Sequence, residues 1–485
     1  MNILPPALRP IYTTDKPNDN ILLYEGLLEI SSQINQHKVQ IQGNGKLEYV
    51  WFPNPRIQFS FSNKDQNIDI IPYVHANNLL VALTLLDIEV LPINISITSS
   101  SSGNNNGNFV SGRVTEAITQ GNDKDLAYVL FHVVNFHDFR GRPPSTLKHD
   151  SRSRDIERMV FQANEWKVTL DQLETTTDNV KYLNSQGGFA ITHVGKLEKL
   201  DGQTFSGEEA KEFLKIVVDF LSFARGFKVP LALLVGYDAE NNKIWQHWEE
   251  SVGHPWKYVN SWFPVNKAHM LANAFPAFVY WWNSWEQSAK LSLYWYLEAN
   301  HSSLVEQQII LTQVALELIA NAEEQTKGNA SEKLRGLLKK YEIPVNIPFD
   351  NLSNKPSTLA SKRSPESSEP LEKLVGLKNN LKKKLSEQLK KEINEKNKIR
   401  IEQELNQVDA PYLFTKIRND IIHSKKKIEN LETYLYEASD LGLWYLELVL
   451  LAIFDYQECY GNRLPKYQQN GEMEVVPWSN QGKSY

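Results

Sequence analysis

Apolar positions follow one rhythm in the first part of the chain and another in the second. Between residues 21 and 200 they alternate or come in short runs, as in Lys46-Leu-Glu-Tyr-Val-Trp-Phe, Ile57-Gln-Phe-Ser-Phe and Ile68-Asp-Ile-Ile, each bounded by turn-forming residues. A period of two marks strands. Leu79 to Ile97 is rich in Leu, Ile and Val and predicts two strands of a buried sheet. Leu126 to Phe136 and Trp166 to Leu173 predict further strands, and Thr98 to Asn108 reads as a low-complexity loop. This pattern predicts an antiparallel sandwich or barrel. Ser206-Gly-Glu-Glu209 has the form of a capping box and opens a helix through Phe223. Leu231 to Gly236 and Lys243 to Trp248 predict a hairpin about Asp238-Ala-Glu-Asn-Asn.

The rhythm changes near Trp262. Ala268 to Asn300 predicts one long aromatic helix that carries Phe278, Trp281, Trp282 and Tyr296. Ser303-Leu-Val-Glu306 reads as a second capping box, before the helix that contains Glu317, and Ala330 to Tyr341 predicts a short helix. Pro344 to Pro370 reads as a linker. Leu377, Leu381, Leu385, Leu389 and Ile393 recur every four residues in a strongly charged segment and predict a helix with a narrow apolar stripe. A last long helix is expected from Leu431 to Tyr460. The fold class expected is α+β and multidomain. An arm at 1–20 precedes a β-rich sensor or binding domain at 21–265, then an all-α bundle at 267–466 with an insert at 344–370, then a tail at 467–485.

Composition narrows the function classes. The chain has 485 residues, enough for two or more domains, and 41% of them are apolar. A net charge of −6 means that any contact with nucleic acid must come from a local patch. The single cysteine, Cys459, excludes an internal disulfide framework and a multi-cysteine metal site. It suits a reducing cytoplasm. The first residues, Met-Asn-Ile-Leu-Pro-Pro, lack the pattern of a signal peptide. The run Leu441 to Tyr456 is interrupted by Glu447 and Asp455 and is shorter than the ~20 residues of a membrane span, so no membrane association is expected.

The segment Asp409 to Ser424 concentrates the candidate chemistry. Asp409 suits a helix N-cap and Pro411 its first turn. Leu413, Ile417 and Ile421 recur every four residues. At about 100° per residue, Arg418 falls between Ile417 and Ile422, inside the apolar arc. An unpaired guanidinium there is costly. Asn419 and His423, four apart, share the neighbouring polar face.

Arg418-Asn419-Asp420-Ile421-Ile422-His423 resembles the Arg-Asn-x-x-x-His signature of HEPN domains, the helical ribonuclease and nucleotide-binding modules of prokaryotic defence and toxin systems. The layout, a β-rich half before a helical one, is similar to the ApeA-like branch. Glu306-Gln-Gln-Ile-Ile-Leu-Thr-Gln-Val-Ala-Leu-Glu317 is similar to the helix that brings an acidic residue to the site in that branch. The resemblance implies a metal-independent endoribonuclease without cofactors, a homodimer formed through the helical domain, and an antiphage role. The implied substrate is RNA, tRNA among the candidates, and the implied product ends are 2′,3′-cyclic phosphates. A protein trigger acting on the N-terminal domain is a further expectation.

The residues suit that chemistry. RNA carries its own nucleophile in the 2′-hydroxyl. An imidazole exchanges protons near neutral pH, and a guanidinium holds a phosphate by two bonds without losing its charge. On an ideal helix Arg418 and His423 lie about 140° apart, so they converge only across two copies or where the helix end loosens. Glu317 sits at the edge of its own apolar face and is a candidate ion partner for Arg418. Lys425, Lys426 and Lys427 offer a local basic patch for RNA, as do Lys382, Lys383 and Lys384, although such runs are most often solvated faces.

Other groups suit a structural role better. His132, His137, Asp138, His149 and Asp150 surround Arg140 and Arg142 in sequence, but their spacing matches no standard metal-ligand pattern. The aromatic residues of 278–296 have the spacing of a helix core rather than of a base-stacking platform. Walker, Gly-x-Ser-x-Gly and His-Glu-x-x-His motifs are missing from the sequence. Two alternatives to the nuclease stay open: a catalytically silent HEPN-like scaffold, and a ligand-binding protein with a helical oligomerisation module.

Overall fold

The computed structural model describes residues 5–34, 37–63, 81–88, 90–103, 107–140, 145–149, 152–324, 328–348, 407–423, 432–464 and 473–479. It divides into two compact units, Met1–Tyr258 with Val265–Pro276, and Val259–Pro264 with Ala277–Tyr485. The first is rich in β-structure and the second is helical.

The first unit opens with a closed antiparallel barrel. Its strands are β1 (Ile21–Ile34), β2 (His37–Val50), β3 (Arg56–Asn63), β4 (Val81–Leu85), β5 (Ile93–Gly103) and β6 (Gly107–Val114), in the order β1-β2-β3-β6-β5-β4. β4 pairs back onto β1 and closes the ring. Alternation places Ile57, Phe59 and Phe61 of β3 in the core, while Arg56, Gln58 and Ser60 face outwards. The serine-rich stretch expected to be a loop instead forms the second half of β5. Ser99 pairs with Ser111 and Ser101 with Phe109 on β6. Barrel closure gives this backbone its hydrogen bonds, so weak side-chain preference does not decide.

A separate seven-stranded antiparallel sheet follows. The chain passes through β7 (Ile118–Gly121), β8 (Tyr128–Val134), β9 (Ser145–His149), β10 (Arg152–Ile156), β11 (Arg158–Ala163) and β12 (Trp166–Gln172). Next come α1 (Thr176–Gln186), β13 (Ile191–Lys199), α2 (Gly207–Arg225), β14 (Leu231–Tyr237) and β15 (Lys243–Trp248). The sheet order is β11-β12-β13-β8-β14-β15-β7, with β9 and β10 as a hairpin of their own. The Ser206 and Glu209 capping box forms at the start of α2 as the sequence predicts.

The arm before β1 is pinned to this sheet. Asp171, bonded to Arg158 by both carboxylate oxygens, also accepts the Leu8 N–H at 2.7 Å. His132 Nε2 accepts the N–H groups of Ile11 and Tyr12 at 3.1 Å each. The Tyr12 hydroxyl accepts from Gln246 Nε2 and Trp248 Nε1.

In the second unit, the long aromatic helix expected from Ala268 is two helices, α3 (Ala268–Ser284) and α4 (Glu286–His301), of which α3 runs across the division between the units at Pro276. The break falls at Trp285, and the Ser284 hydroxyl bonds back to the Tyr280 carbonyl at 2.8 Å, a contact that bends helices. α5 (Val305–Ala322) starts one residue later than the expected Ser303 box requires. Glu306 therefore lies too early to close the box, and Leu304 at the N-cap makes no side-chain cap. The Ser302 hydroxyl takes the Leu304 N–H at 3.1 Å instead.

α6 (Ala330–Lys340) is followed by β16 (Asn346–Pro348), which pairs with β17 (Gln407–Asp409) directly before α7 (Ala410–His423). α8 (Glu432–Ile453) is the most deeply buried helix segment of the unit, and Phe278 and Trp281 pack edge-on against Phe454 just beyond it. The aromatic residues Phe278, Trp281, Trp282 and Tyr296 are core. Among the described residues, no helix is long and apolar enough to cross a membrane.

Candidate functional site

α7 carries the sequence-predicted site. Its start is built as expected: Asp409 Oδ1 accepts the Tyr412 N–H at 3.2 Å, and Asp409 also forms an ion pair with Arg335 of α6. Ala410, Pro411, Phe414, Thr415 and Ile417 are buried against the neighbouring helices α5, α6 and α8. Gly442 of α8 allows a close approach of α8 to α7. A Cβ there would lie 2.4 Å from the Phe414 ring and 3.1 Å from the Thr312 methyl. The absence of a side chain in α8 thus sets the depth at which α7 sits.

Arg418 lies on the boundary of this packing. It is half-buried, and Ile422, expected to cover it on one side, is 43% exposed. Its Nη1 donates to Asn419 Oδ1 at 3.0 Å, while its Nε is buried with no acceptor. Among the described residues no carboxylate pairs with it. Asn419 and His423 are exposed. α7 stays helical through His423, so the divergence of about 140° between Arg418 and His423 holds within one chain.

The expected ion pair between Glu317 and Arg418 is not formed among the described residues. Glu317 Oε1 instead accepts from Gln313 Nε2 at 2.8 Å, one turn back on the same helix. A partner within one turn needs no tertiary adjustment, so the local bond wins. Gln313 Oε1 and Thr415 Oγ1 are also buried without partners. The two packed helices α5 and α7 thus carry three unsatisfied buried polar atoms: Gln313 Oε1, Thr415 Oγ1 and Arg418 Nε. Native proteins leave few such atoms, and each one calls for an explanation, a functional role among them. Lys425, Lys426 and Lys427 lie outside the described residues, as do Lys382, Lys383 and Lys384.

The chain is similar over most of its length to YopA. The YopA central domain matches residues 121–259, and the YopA C-terminal domain matches residues 282–381 and 357–475. The first match runs from the end of β7 to beyond β15, and the second runs from the end of α3 to beyond α8. The SPbeta prophage-derived uncharacterized protein YopA of Bacillus subtilis (strain 168) is 26% identical over 488 residues, covering 95% of each chain. No solved structure matches.

Of the histidine group of the first unit, His132 and His137 are bound into the fold, and the side chain of His149 lies outside the described residues. His132 is fully buried, accepts the two arm N–H groups on Nε2 and faces the Leu233 carbonyl with Nδ1 at 3.1 Å. Burial pushes its pKa down to about 4. His193 is stacked on Phe139 and is pushed down to about 3 by burial, and burial and then Arg225 hold His137 well below its ordinary value. Asp138 accepts from Gln172 and Thr177. Arg142 and Asp150 lie outside the described residues. Among the described residues, no group of three or more His, Cys, Asp or Glu side chains could hold a metal ion.

Sequence reasoning missed a buried polar network in the helical unit. Glu447 and Arg463 form a two-point ion pair, joined by the Tyr296 hydroxyl at 2.7 Å and by Asn300 at 3.2 Å. The signal was present: Glu447 interrupts the most apolar run of the chain.

Proposed function

We propose that the helical unit is a HEPN-like, metal-independent endoribonuclease in which Arg418, Asn419 and His423 act on a phosphodiester. The observation that carries this reading is the guanidinium of Arg418. It is half-buried, its Nε is buried without an acceptor, it has no carboxylate partner among the described residues, and it lies little more than one turn from an exposed imidazole on the same helix. Such a cation has its charge left for an anion from outside.

In the reaction, an imidazole removes the proton of the 2′-hydroxyl, whose oxygen attacks the adjacent phosphorus. The bond to the 5′-oxygen breaks, and a second proton donor delivers a proton to that leaving oxygen. The products are a 2′,3′-cyclic phosphate and a free 5′-hydroxyl. Arg418 stabilises the charge of the phosphorane, and Asn419, bonded to it, sets the orientation of the fork. Because Arg418 and His423 diverge on one helix, the reading requires two copies across α7, whose two imidazoles then serve as base and acid. Regulation by the N-terminal unit and a role in conflict with phage belong to the same proposal. The prophage origin in the name of the Bacillus subtilis relative suits that setting.

The test is incubation of the full chain with total tRNA. Discrete cuts ending in 2′,3′-cyclic phosphates, lost in His423→Ala and in Arg418→Ala, support the nuclease. No cuts from a stable dimer would select a silent scaffold instead.

A further inference from the structure

A second candidate site lies on the barrel of the first unit. A cavity of about 500 Å³ has Arg56, Gln58, Ser96, Thr98, Arg113 and Glu250 among its lining residues. This falls in the size range of small-ligand sites, about 300–1,000 Å³.

The register of the barrel builds it. Gln58 of β3 is opposite Arg113 of β6, and Arg113 is opposite Ser96 of β5. Arg56 is two residues before Gln58 on the same outward face, so it is the diagonal neighbour of Arg113, with about 7–8 Å between Cα atoms. Two guanidiniums at that spacing can reach one multi-oxygen anion. The far wall is the segment after β15. It is tied to the barrel by a 2.5 Å hydrogen bond between the Tyr49 and Ser251 hydroxyls.

Among the described residues, Arg56 and Arg113 make no ion pair and no hydrogen bond. The carboxylates nearest in the sheet are engaged elsewhere. Glu48, opposite Gln58, is held by Lys46 at 2.9 Å, and Glu116 accepts from the backbone and side chain of Asn94. Adjacent cations in a concave site repel one another, which favours an anion between them. Gln58, Ser96 and Thr98 add neutral hydrogen-bonding groups, and Glu250 accepts from hydroxyls while repelling a second anion.

We infer that this cavity binds a small phosphate monoester bearing hydroxyls, of sugar-phosphate or mononucleotide size, with its phosphate between Arg56 and Arg113. The guanidiniums supply bidentate, charge-assisted bonds to the phosphate, and Glu250 takes up the ligand's hydroxyls.

Calorimetric titration of the full chain with ribose 5-phosphate at low ionic strength tests this, with ribose and inorganic phosphate as controls and adenosine 5′-monophosphate as a second probe. The expected result is saturable binding of at least one phosphorylated probe, no binding of ribose, and weaker binding of inorganic phosphate. Arg56→Gln and Arg113→Gln should each weaken the bound probe by about tenfold or more, roughly 1.4 kcal/mol by the usual conversion. Both side chains face outwards, so the melting temperature and circular dichroism should be unchanged. Three results overturn the inference: neither phosphorylated probe binds, both variants bind as the parent does, or inorganic phosphate binds as tightly as the sugar phosphate. The readout does not depend on RNA cleavage.

Discussion

Arg463 and Glu447 meet inside the helical unit, sixteen residues apart in sequence, with Nε donating to one carboxylate oxygen at 2.9 Å and Nη2 to the other. Glu447 is fully buried and Arg463 is 5% exposed. Two ions out of water are tolerated because each satisfies the other and because Tyr296, Asn300 and the Asn260 carbonyl supply the remaining bonds.

Removing one partner leaves the other charge buried. Arg463→Met should therefore cost about 3–5 kcal/mol of stability, whereas Tyr296→Phe should cost about 1 kcal/mol. Urea denaturation followed by circular dichroism measures both. A cost for Arg463→Met as small as that for Tyr296→Phe would show that water reaches the pair.

The motif residues should separate activity from stability. His423 is exposed, so His423→Ala should leave the melting temperature unchanged and lower the rate of tRNA cleavage by about 10²-fold or more. Arg418→Ala should abolish cleavage with little loss of stability, because it removes an unsatisfied buried nitrogen. Glu317 is bonded to Gln313 rather than to Arg418, so Glu317→Ala should slow cleavage less than Arg418→Ala. The ordering of these rates, against the melting curves, decides.

Acid should act in opposite directions on the two units. Burial lowers His132 to about 4 and His193 to about 3, so the unfolded chain binds their protons near pH 6.5 and the folded chain does not. Their contribution to stability is present above about pH 6.5 and is lost as pH falls towards 4. Burial raises Asp440 in the helical unit to about 6, an effect partly offset by Arg463 and reinforced by Glu447. Its folded state binds the proton first, so its effect favours the helical unit as pH falls from about 6 to 4. Hydrogen exchange across that range should show protection lost first at Ile11 and Tyr12, whose N–H groups rest on His132. Equal loss in both units would contradict the assignment.

Gly442 sets how closely α8 approaches α7. Gly442→Val must displace the Phe414 ring and should destabilise the helical unit by about 1–3 kcal/mol. It should also reduce cleavage more than the melting temperature explains, because it moves the helix that bears Arg418. Rates measured well below the melting temperature test this.

By itself the sequence determined what is decided within a turn or two of chain. The period of its apolar positions separated a β-rich part from a helical one. Asp409 with Pro411, and Ser206 with Glu209, marked two helix starts, and the hairpin of Leu231 and Lys243 showed its own turn. Tertiary structure alone decided which distant groups meet. It turned a serine-rich stretch into a barrel strand, because ring closure supplies backbone partners that composition does not specify. It made His132 a clamp for an arm about 120 residues away. It left Arg418 without the carboxylate that spacing offered, since Glu317 had a nearer partner on its own helix. Caps and periodicity are local free energies written along the chain. The choice of partner for a buried polar group depends on which surfaces packing brings together, and that is settled only when the chain is folded.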